Sequence, residues 1–245
     1  MATVKLELQY DGTEFAGWAA QPGLRTVEGA LRAALDRIHP TWNGLAVAGR
    51  TDAGVHALAQ VASYATGDGP PPESVAAALN PLLPDDLVAV SSEAAPDDFH
   101  ARFSAHARSY RYRIWRRTAP SPFERRRSLW WPRPLDEARL AESAALLVGE
   151  HDFRAFTPTE TRHEAFRREV LAARWVEHGH DLHFEIEANS FLRHMVRTLV
   201  GTMVDHEPKH FGTLLDGADR SKAGRTAPPW GLYLERVSYP DASGV

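Results

Sequence analysis

The chain has 245 residues, 28 basic residues against 32 acidic ones, a formal net charge of -4 and no cysteine. A chain of this length buries roughly 70–75% of its unfolded surface, so it needs neither disulfides nor a metal to form a core. The missing cysteines exclude disulfide frameworks, thiolate zinc sites, iron–sulfur clusters and cysteine nucleophiles.

The first half of the chain alternates predicted strands and helices. Val4–Tyr10 alternates apolar and polar residues, the period-two pattern of a half-buried strand. No secretory signal precedes it and no apolar run reaches the ~18 residues of a membrane span, so we expect a soluble, cytoplasmic protein without a membrane partner. Further predictions are a helix from its N-cap Thr26 to Pro40, strands at Leu45–Ala48, Val61–Ala65 and Leu87–Val90, and a short helix at Glu73–Leu79.

The second half is predicted to be richer in hairpins. His178-Gly179-His180 separates two alternating arms, Glu169–Glu177 and Asp181–Glu187, which is typical of a hairpin. The pattern predicts an α+β fold with a mainly antiparallel sheet. We expect two ferredoxin-like or RRM-like halves, residues 1–103 and 104–245, around a central basic cleft. Its other elements are a strand at Arg108–Trp115, helices at Leu135–Leu147 and Phe191–Val204, the latter capped by Asn189, and a closing strand at Gly231–Tyr239.

The basic residues are clustered. Between Ala101 and Arg133 there are ten arginines and one acid, Glu124, so this segment carries +9 and the rest of the chain -13. A preference for arginine codons explains why lysine is rare, but not why the arginines cluster. Such segregation favours an anionic polymer as partner, because condensed counterions are released where cations meet phosphates.

The segment Gly49–Ala57 is the strongest candidate for chemistry. It places Arg50 and Asp52 on the same side of an extended segment, with a glycine near each end that allows close approach. A carboxylate beside a guanidinium stays ionised, and in a cleft it can act as a nucleophile or a general base. The alternative is an ordinary strand end in which Asp52 caps the following turn.

Two further groups combine arginines with apolar residues. Tyr110 and Tyr112 lie on one face of a predicted strand, where they could stack on bases or belong to the core. On the nearly all-apolar predicted helix, Arg193 and Arg197 share a stripe, and a buried guanidinium needs a carboxylate partner, catalytic or structural.

Histidines His178, His180 and His183 raise the alternative of a zinc site. No cysteine and no helical H-E-x-x-H accompany them, so we favour solvent-exposed turn histidines and expect no metal.

Taken together, five blocks resemble the TruA family of tRNA pseudouridine synthases over nearly the whole chain. The G-R-T-D-A-G-V-H-A loop is specific by itself, whereas residues 153–168 follow the family only loosely. The blocks are Tyr10-Asp11-Gly12 with Phe15-Ala16-Gly17-Trp18, the loop Gly49–Ala57, Phe99–Ala105 with Tyr110-Arg111-Tyr112, Phe191–Arg197 with Gly201, and Thr226–Leu234.

The resemblance implies an isomerase that converts uridine to pseudouridine in the anticodon stem-loop of tRNA, as a homodimer and without cofactor or metal. It implies Asp52 as the catalytic aspartate, Arg50 as its loop partner, Tyr110 against the target base and Arg197 paired with the aspartate. The pairing would also meet the need of Arg197 for a carboxylate. Expected substrate-binding residues are Arg102, Arg108, Arg111, Arg113, Arg193 and Leu232.

Three alternatives remain open at this point. Asp52 could attack C1′ of the sugar, attack C6 of the base, or act as a base. A noncatalytic RNA-binding module would explain the basic aromatic strand equally well, although it does not explain an Arg-Thr-Asp loop between glycines. A metal-dependent RNA hydrolase would instead use His178, His180 and His183 with an acid.

Overall fold

The structure, a computed structural model, describes residues 1–161 and 164–240. Arg162 and His163, in the segment that follows the family loosely, therefore lie outside the described residues. The chain forms two compact units, Met1–His106 with the chain from Leu234 onward, and Ala107–Tyr233. Both are built from antiparallel strands and a few helices, which confirms the predicted α+β class. None of the described helices has the length and apolarity needed to cross a membrane.

The first unit is organised around its N-terminal strand, which pairs antiparallel with two neighbours. Its side chains Val4, Leu6, Leu8 and Tyr10 are all buried, as the period-two pattern predicts. The first helix begins after Thr26, whose side chain accepts a hydrogen bond from the Gly29 N–H at 3.2 Å. The elements of this unit are β1 (Ala2–Tyr10), α1 (Val27–Ile38), β2 (Trp42–Val47), β3 (His56–Thr66), α2 (Val75–Leu79) and β4 (Leu87–Ala95), with sheet order β4-β1-β3 and β2 also paired with β3.

The second unit contains a four-stranded antiparallel sheet in the order β5-β9-β8-β7, with the short β6 parallel to β5. The predicted hairpin is confirmed, with Gly179 in the left-handed conformation at its turn. The elements are β5 (Ala107–Trp115), β6 (Leu129–Trp130), α3 (Glu137–Ala145), β7 (Gly149–Asp152), β8 (Arg167–His178), β9 (Asp181–Ala188), α4 (Met195–Asp205), α5 (Pro208–Thr213) and β10 (Leu232–Ser238).

The last strand, β10, leaves the second unit at Leu234 and joins the first, where it lies beside β3. There the Ser238 carbonyl accepts from the His106 N–H at 3.0 Å, and the Tyr239 hydroxyl donates to the Ala101 carbonyl at 2.7 Å. The predicted halves, 1–103 and 104–245, differ from the observed units mainly in this strand. Strand pairing, which the sequence order does not reveal, decides where a strand belongs.

The helix predicted at Phe191–Val204 begins four residues late. His194 has φ 62°, in the left-handed region, and the helix starts only after it, at Met195. Asn189 is not its cap, because Asn189 bonds with Glu169 in two ways: its N–H donates to the Glu169 carbonyl and its side-chain oxygen accepts from the Glu169 N–H. The prediction was wrong on both points, and Arg193 consequently lies in the turn before the helix rather than on a helical stripe with Arg197.

Candidate active site

Asp52 lies on the loop between β2 and β3 and is half-buried, while Arg50 is exposed. The Val55 N–H donates to the Asp52 carbonyl at 3.1 Å, so the backbone closes the turn that follows Asp52. The loop is also hydrogen-bonded to the segment after β1, since the Trp18 N–H donates to the Thr51 carbonyl at 3.0 Å. The carboxylate is therefore carried by a loop that is anchored on both sides.

A buried polar network fixes the residues just before Asp52. The Tyr10 hydroxyl and Thr51 Oγ1 share a hydrogen bond of 2.8 Å. Gln60 Nε2 donates to the Tyr10 hydroxyl at 3.1 Å and to the Gly49 carbonyl at 2.7 Å. Burial raises the pKa of Tyr10 to about 12, so its phenol stays protonated over the physiological range. Strands β1 and β3 thus position the backbone of the Asp52 loop through buried groups that have hydrogen-bond partners.

Two glycines of the opening block allow the loop to approach closely. A Cβ on Gly12 would lie 2.0 Å from the Val55 carbonyl oxygen, and a Cβ on Gly17 would lie 2.9 Å from the Thr51 carbonyl oxygen. Gly17 also has φ +95°, which an L side chain rarely adopts. The first and second blocks therefore pack directly against each other. A side chain at either glycine would clash with the backbone of the Asp52 loop.

Gly12→Ala is expected to push the Val55 carbonyl away and to displace the loop. The free energy of unfolding should fall by about 1–3 kcal/mol, as overpacking typically costs, and turnover should fall with it. Urea unfolding and a turnover assay measure the two effects. Gly67→Ala is the matched control, because its Cβ would meet only the Thr41 hydroxyl at 3.6 Å and the end of the Met1 side chain at 3.9 Å. A Gly12→Ala protein with unchanged stability and turnover would contradict this account of the loop.

Strand β5 separates its tyrosines from two of its arginines, as predicted. Tyr112 is fully buried and its hydroxyl donates to the Pro228 carbonyl at 2.9 Å. Tyr110 is 8% exposed and its ring meets the ring of Phe191 edge-on at 4.9 Å. Contact of Tyr110 with a target base stays a prediction, and Phe191 is a ring neighbour that the sequence did not single out.

The arginines of β5 already have partners within the protein. Arg113 Nη2 lies 2.6 Å from Asp181 and 3.0 Å from Glu124. Burial alone would lower the pKa of Arg113, but the hydrogen bond and charge of Asp181 and the charge of Glu124 outweigh it and raise the pKa. Arg108 is 7% exposed and donates to a backbone carbonyl, that of Asn189, at 2.9 Å.

The remaining predicted substrate-binding residues are placed differently. Arg111 is half-buried, with its guanidinium carbon 5.7 Å from the Tyr233 ring centre. Leu232 is buried at the start of β10. Arg102 and Arg193 are exposed, and Arg102 lies over the exposed ring of Phe103 at 5.5 Å. We keep the proposal of RNA contact for Arg102 and Arg193, because these are the two exposed arginines among those predicted to bind substrate.

Arg197 lies in the first turn of α4 and is held by the chain that precedes β10. Its Nε donates to the Ala227 carbonyl at 2.8 Å, and the Ala227 N–H donates to the Arg197 carbonyl at 3.0 Å. That chain crosses α4 at Gly201, where a Cβ would lie 1.9 Å from the Arg225 carbonyl oxygen. The fourth and fifth blocks of the resemblance therefore pack together to orient one guanidinium.

Arg220 fixes the same segment and was not singled out from the sequence. Its guanidinium donates to the Gly224 carbonyl at 2.9 Å and to the Thr226 hydroxyl at 3.1 Å. Burial lowers the pKa of Arg220. A planar guanidinium that binds backbone and hydroxyl oxygens in this way holds the 224–227 segment in place beneath Arg197.

Among the described residues, one group of side chains could hold a metal: His178, His183 and Glu185, whose ligand atoms lie within 4.8 Å of one another. Arg174 already forms an ion pair with Glu185 at 2.7 Å. His180, the third histidine of the sequence-based alternative, instead meets the ring of Trp115 at 5.8 Å. The three histidines of that alternative are therefore not assembled, and two of them lie near a glutamate that the sequence did not single out. The favoured expectation of solvent-exposed turn histidines was wrong for His183, which is buried on β9 because this strand lies between β5 and β8.

Comparisons with known proteins bear on the whole chain. A family model described as tRNA pseudouridine synthase matches residues 8–104 and 143–240. The tRNA pseudouridine synthase A of Moorella thermoacetica is 42% identical over 246 residues, covering 98% of this chain and 100% of the relative. The enzyme of the same name from Thermus thermophilus is 44% identical over 251 residues, covering 98% of each chain. That of Geobacillus kaustophilus is 41% identical, covering 97% and 95%.

Proposed function

Because this chain belongs to the tRNA pseudouridine synthase family, which consists of isomerases that act on tRNA, we propose that it modifies uridines of the anticodon stem-loop with Asp52 as its reactive group. The observation that carries the assignment to Asp52 is the anchored loop between β2 and β3. In this loop the family resemblance, a half-buried carboxylate and a backbone held by buried hydrogen bonds coincide.

The reaction needs little machinery. Uridine becomes pseudouridine when the bond between N1 of uracil and C1′ of ribose breaks, the uracil turns, and C5 bonds to C1′. The hydrogen on C5 leaves as a proton and N1 gains one, so no redox cofactor or energy source is consumed. The protein must supply a carboxylate at the reacting atoms and retain the uracil while it rotates.

The residues divide these tasks. Asp52 attacks C1′ or C6, or takes a proton, and the neighbouring Arg50 occupies the space that the flipped nucleotide vacates or binds the adjacent phosphate. Arg197, oriented by Ala227, pairs with Asp52 and positions its carboxylate. Tyr110 confines the uracil from one side. The target nucleotide must swing out of its stack, at an unstacking cost of about a few kcal/mol.

The family resemblance further supports a homodimer in the cytoplasm in which both subunits hold tRNA. It also supports catalysis without a cofactor or a metal. These features complete the proposal, and none of the contacts described above depends on them.

The experiment that tests the proposed function is release of tritium from tRNA labelled at C5 of uridine. Bonding at C5 must expel that hydrogen, whereas binding or strand cleavage leaves it in place. We expect tritium release from an unmodified anticodon stem-loop transcript, unaffected by a chelator. Binding without release would favour a noncatalytic RNA-binding module, and chelator-sensitive strand cleavage would favour the hydrolase built on His178 and His183.

A further inference from the structure

The chain between β5 and β6 forms a turn, residues 121–127, with an unusual surface. Phe123 is 85% exposed, more than any other large apolar side chain among the described residues. Arg125, Arg126 and Arg127 follow it and are all exposed. The residues flanking the turn extend its charge, since Arg117 and Arg133 are exposed as well. The exposed arginines of the 101–133 cluster therefore include those of this turn, whereas the arginines of strand β5 are half-buried or buried.

The turn is held in one conformation by its own hydrogen bonds. The Glu124 N–H donates to the Ser121 carbonyl at 3.2 Å, and the Arg127 N–H donates to the Glu124 carbonyl at 3.0 Å. The Tyr233 hydroxyl donates to the Arg127 carbonyl at 2.7 Å and ties the turn to β10. A surface fixed in advance loses little conformational entropy when it binds a partner.

The single acid of the turn points away from this surface. Glu124 forms an ion pair with Arg113 at 3.0 Å and is half-buried. Arg113, which also pairs with Asp181, therefore holds the Glu124 carboxylate against the strand, while Phe123 and the three arginines of the turn are exposed. The ion pair between Glu124 and Arg113 thus keeps the carboxylate of the turn on its inner side, whereas Arg125–Arg127 are exposed.

The backbone of the turn is strained where it presents these side chains. Arg126 has φ 58°, the left-handed region that glycine or asparagine occupies far more easily. Arg126 is exposed at this position, as are Phe123 and Arg125.

We propose that the 121–127 turn binds unpaired nucleotides of the tRNA substrate. Phe123 stacks on a base, and Arg125 and Arg126 bind the flanking phosphates. The combination of an exposed aromatic ring with guanidiniums at its sides is the chemistry that recognises single-stranded RNA, since bases stack on rings and phosphates attract cations. The proposal rests on the proposed function and adds a substrate-binding surface outside the five blocks.

The first test replaces Phe123 and measures the KM for full-length unmodified tRNA transcript. Stacking on one base supports a loss of about tenfold on truncation. We expect Phe123→Ala and Phe123→Leu each to raise KM about tenfold, while Phe123→Tyr, which keeps the planar ring, leaves KM unchanged. The kcat at saturating tRNA should stay constant in all three, because the turn does not touch the reacting atoms.

The second test measures how tRNA binding depends on salt. In Arg125→Gln/Arg126→Asn, asparagine suits the left-handed backbone, so the turn keeps its shape. The slope of log Kd against log salt should decrease by about 0.7 for each phosphate of a single strand that the variant no longer neutralises. The charge-matched control is Arg167→Gln/Arg174→Gln on β8, where both arginines already pair with glutamates. We expect the control to keep the slope of the parent protein.

Two outcomes would overturn the proposal. Either Phe123→Ala leaves the KM for tRNA unchanged, or the two double variants reduce the salt slope equally, which would make the effect one of net charge only. If the turn binds an acidic protein instead of tRNA, Phe123→Ala will leave the KM for tRNA unchanged, which is the first of these outcomes. Neither outcome resembles failure of the proposed function, which would show as absence of tritium release from the unaltered protein.

Discussion

Asp52→Asn is expected to lower tritium release by about 10³-fold or more while the Kd for tRNA stays within about threefold of its original value. Asparagine has nearly the size of aspartate and keeps the backbone turn in which the Val55 N–H donates to the carbonyl of residue 52. It cannot form a covalent ester with the sugar or accept a proton. The rate should therefore collapse whichever of the three roles Asp52 performs.

The control for this variant is Asp68→Asn, the same change at an aspartate in the loop after β3, whose side chain accepts a hydrogen bond from the Thr41 hydroxyl at 3.3 Å. It should keep its full rate. Parallel loss of rate and of tRNA binding in Asp52→Asn would instead identify Asp52 as a structural residue. A rate within about tenfold of the original would exclude any direct part in the chemistry.

The elements that the sequence predicts well are those whose pattern is local. β1 and β5 alternate, and their buried and more exposed residues follow the alternation along most of each strand. Helix α1 carries its own start signal in Thr26. The Asp52 loop was also recognisable, because its residues are contiguous and specific to the family.

Features that depend on distant residues were not predictable in this way. The apolar run from Phe191 to Val204 contains no boundary signal, so nothing in it indicates that His194 turns left-handed and delays the helix. The partner of Arg113 is Asp181, 68 residues away across a strand pair. A pattern of alternating arginines predicts a charged face, but it cannot tell which charges are neutralised within the fold.

The packing of glycines against the Asp52 loop was only partly predictable from the sequence. Gly12 and Gly17 are visible in the sequence, yet their neighbours, the carbonyls of Val55 and Thr51, come from another segment of the first unit. The resemblance includes both segments but does not explain why they pack together. The close approach supplies that reason, since any side chain at Gly12 would occupy the position of the loop backbone.

Arg197→Gln is expected to lower tritium release by about 10²-fold, because the cation that we propose pairs with Asp52 and positions its carboxylate would be lost. Arg197→Lys should recover part of this loss, since lysine restores the charge but not the hydrogen bond from Nε to the Ala227 carbonyl. Guanidinium ion added to Arg197→Ala should likewise restore part of the rate. A purely structural defect would respond to neither replacement of the charge.

The pairing itself is tested by the double variant Asp52→Asn/Arg197→Gln. If Arg197 acts through Asp52, the second change should cost almost nothing once the carboxylate is gone, so the double variant should be as slow as Asp52→Asn alone. Additive losses would show that the two residues act separately. Arg193→Gln is the control, because this exposed arginine precedes the helix. The effect of Arg193→Gln should multiply with that of Asp52→Asn, since we propose that Arg193 contributes to tRNA affinity and not to the position of the carboxylate.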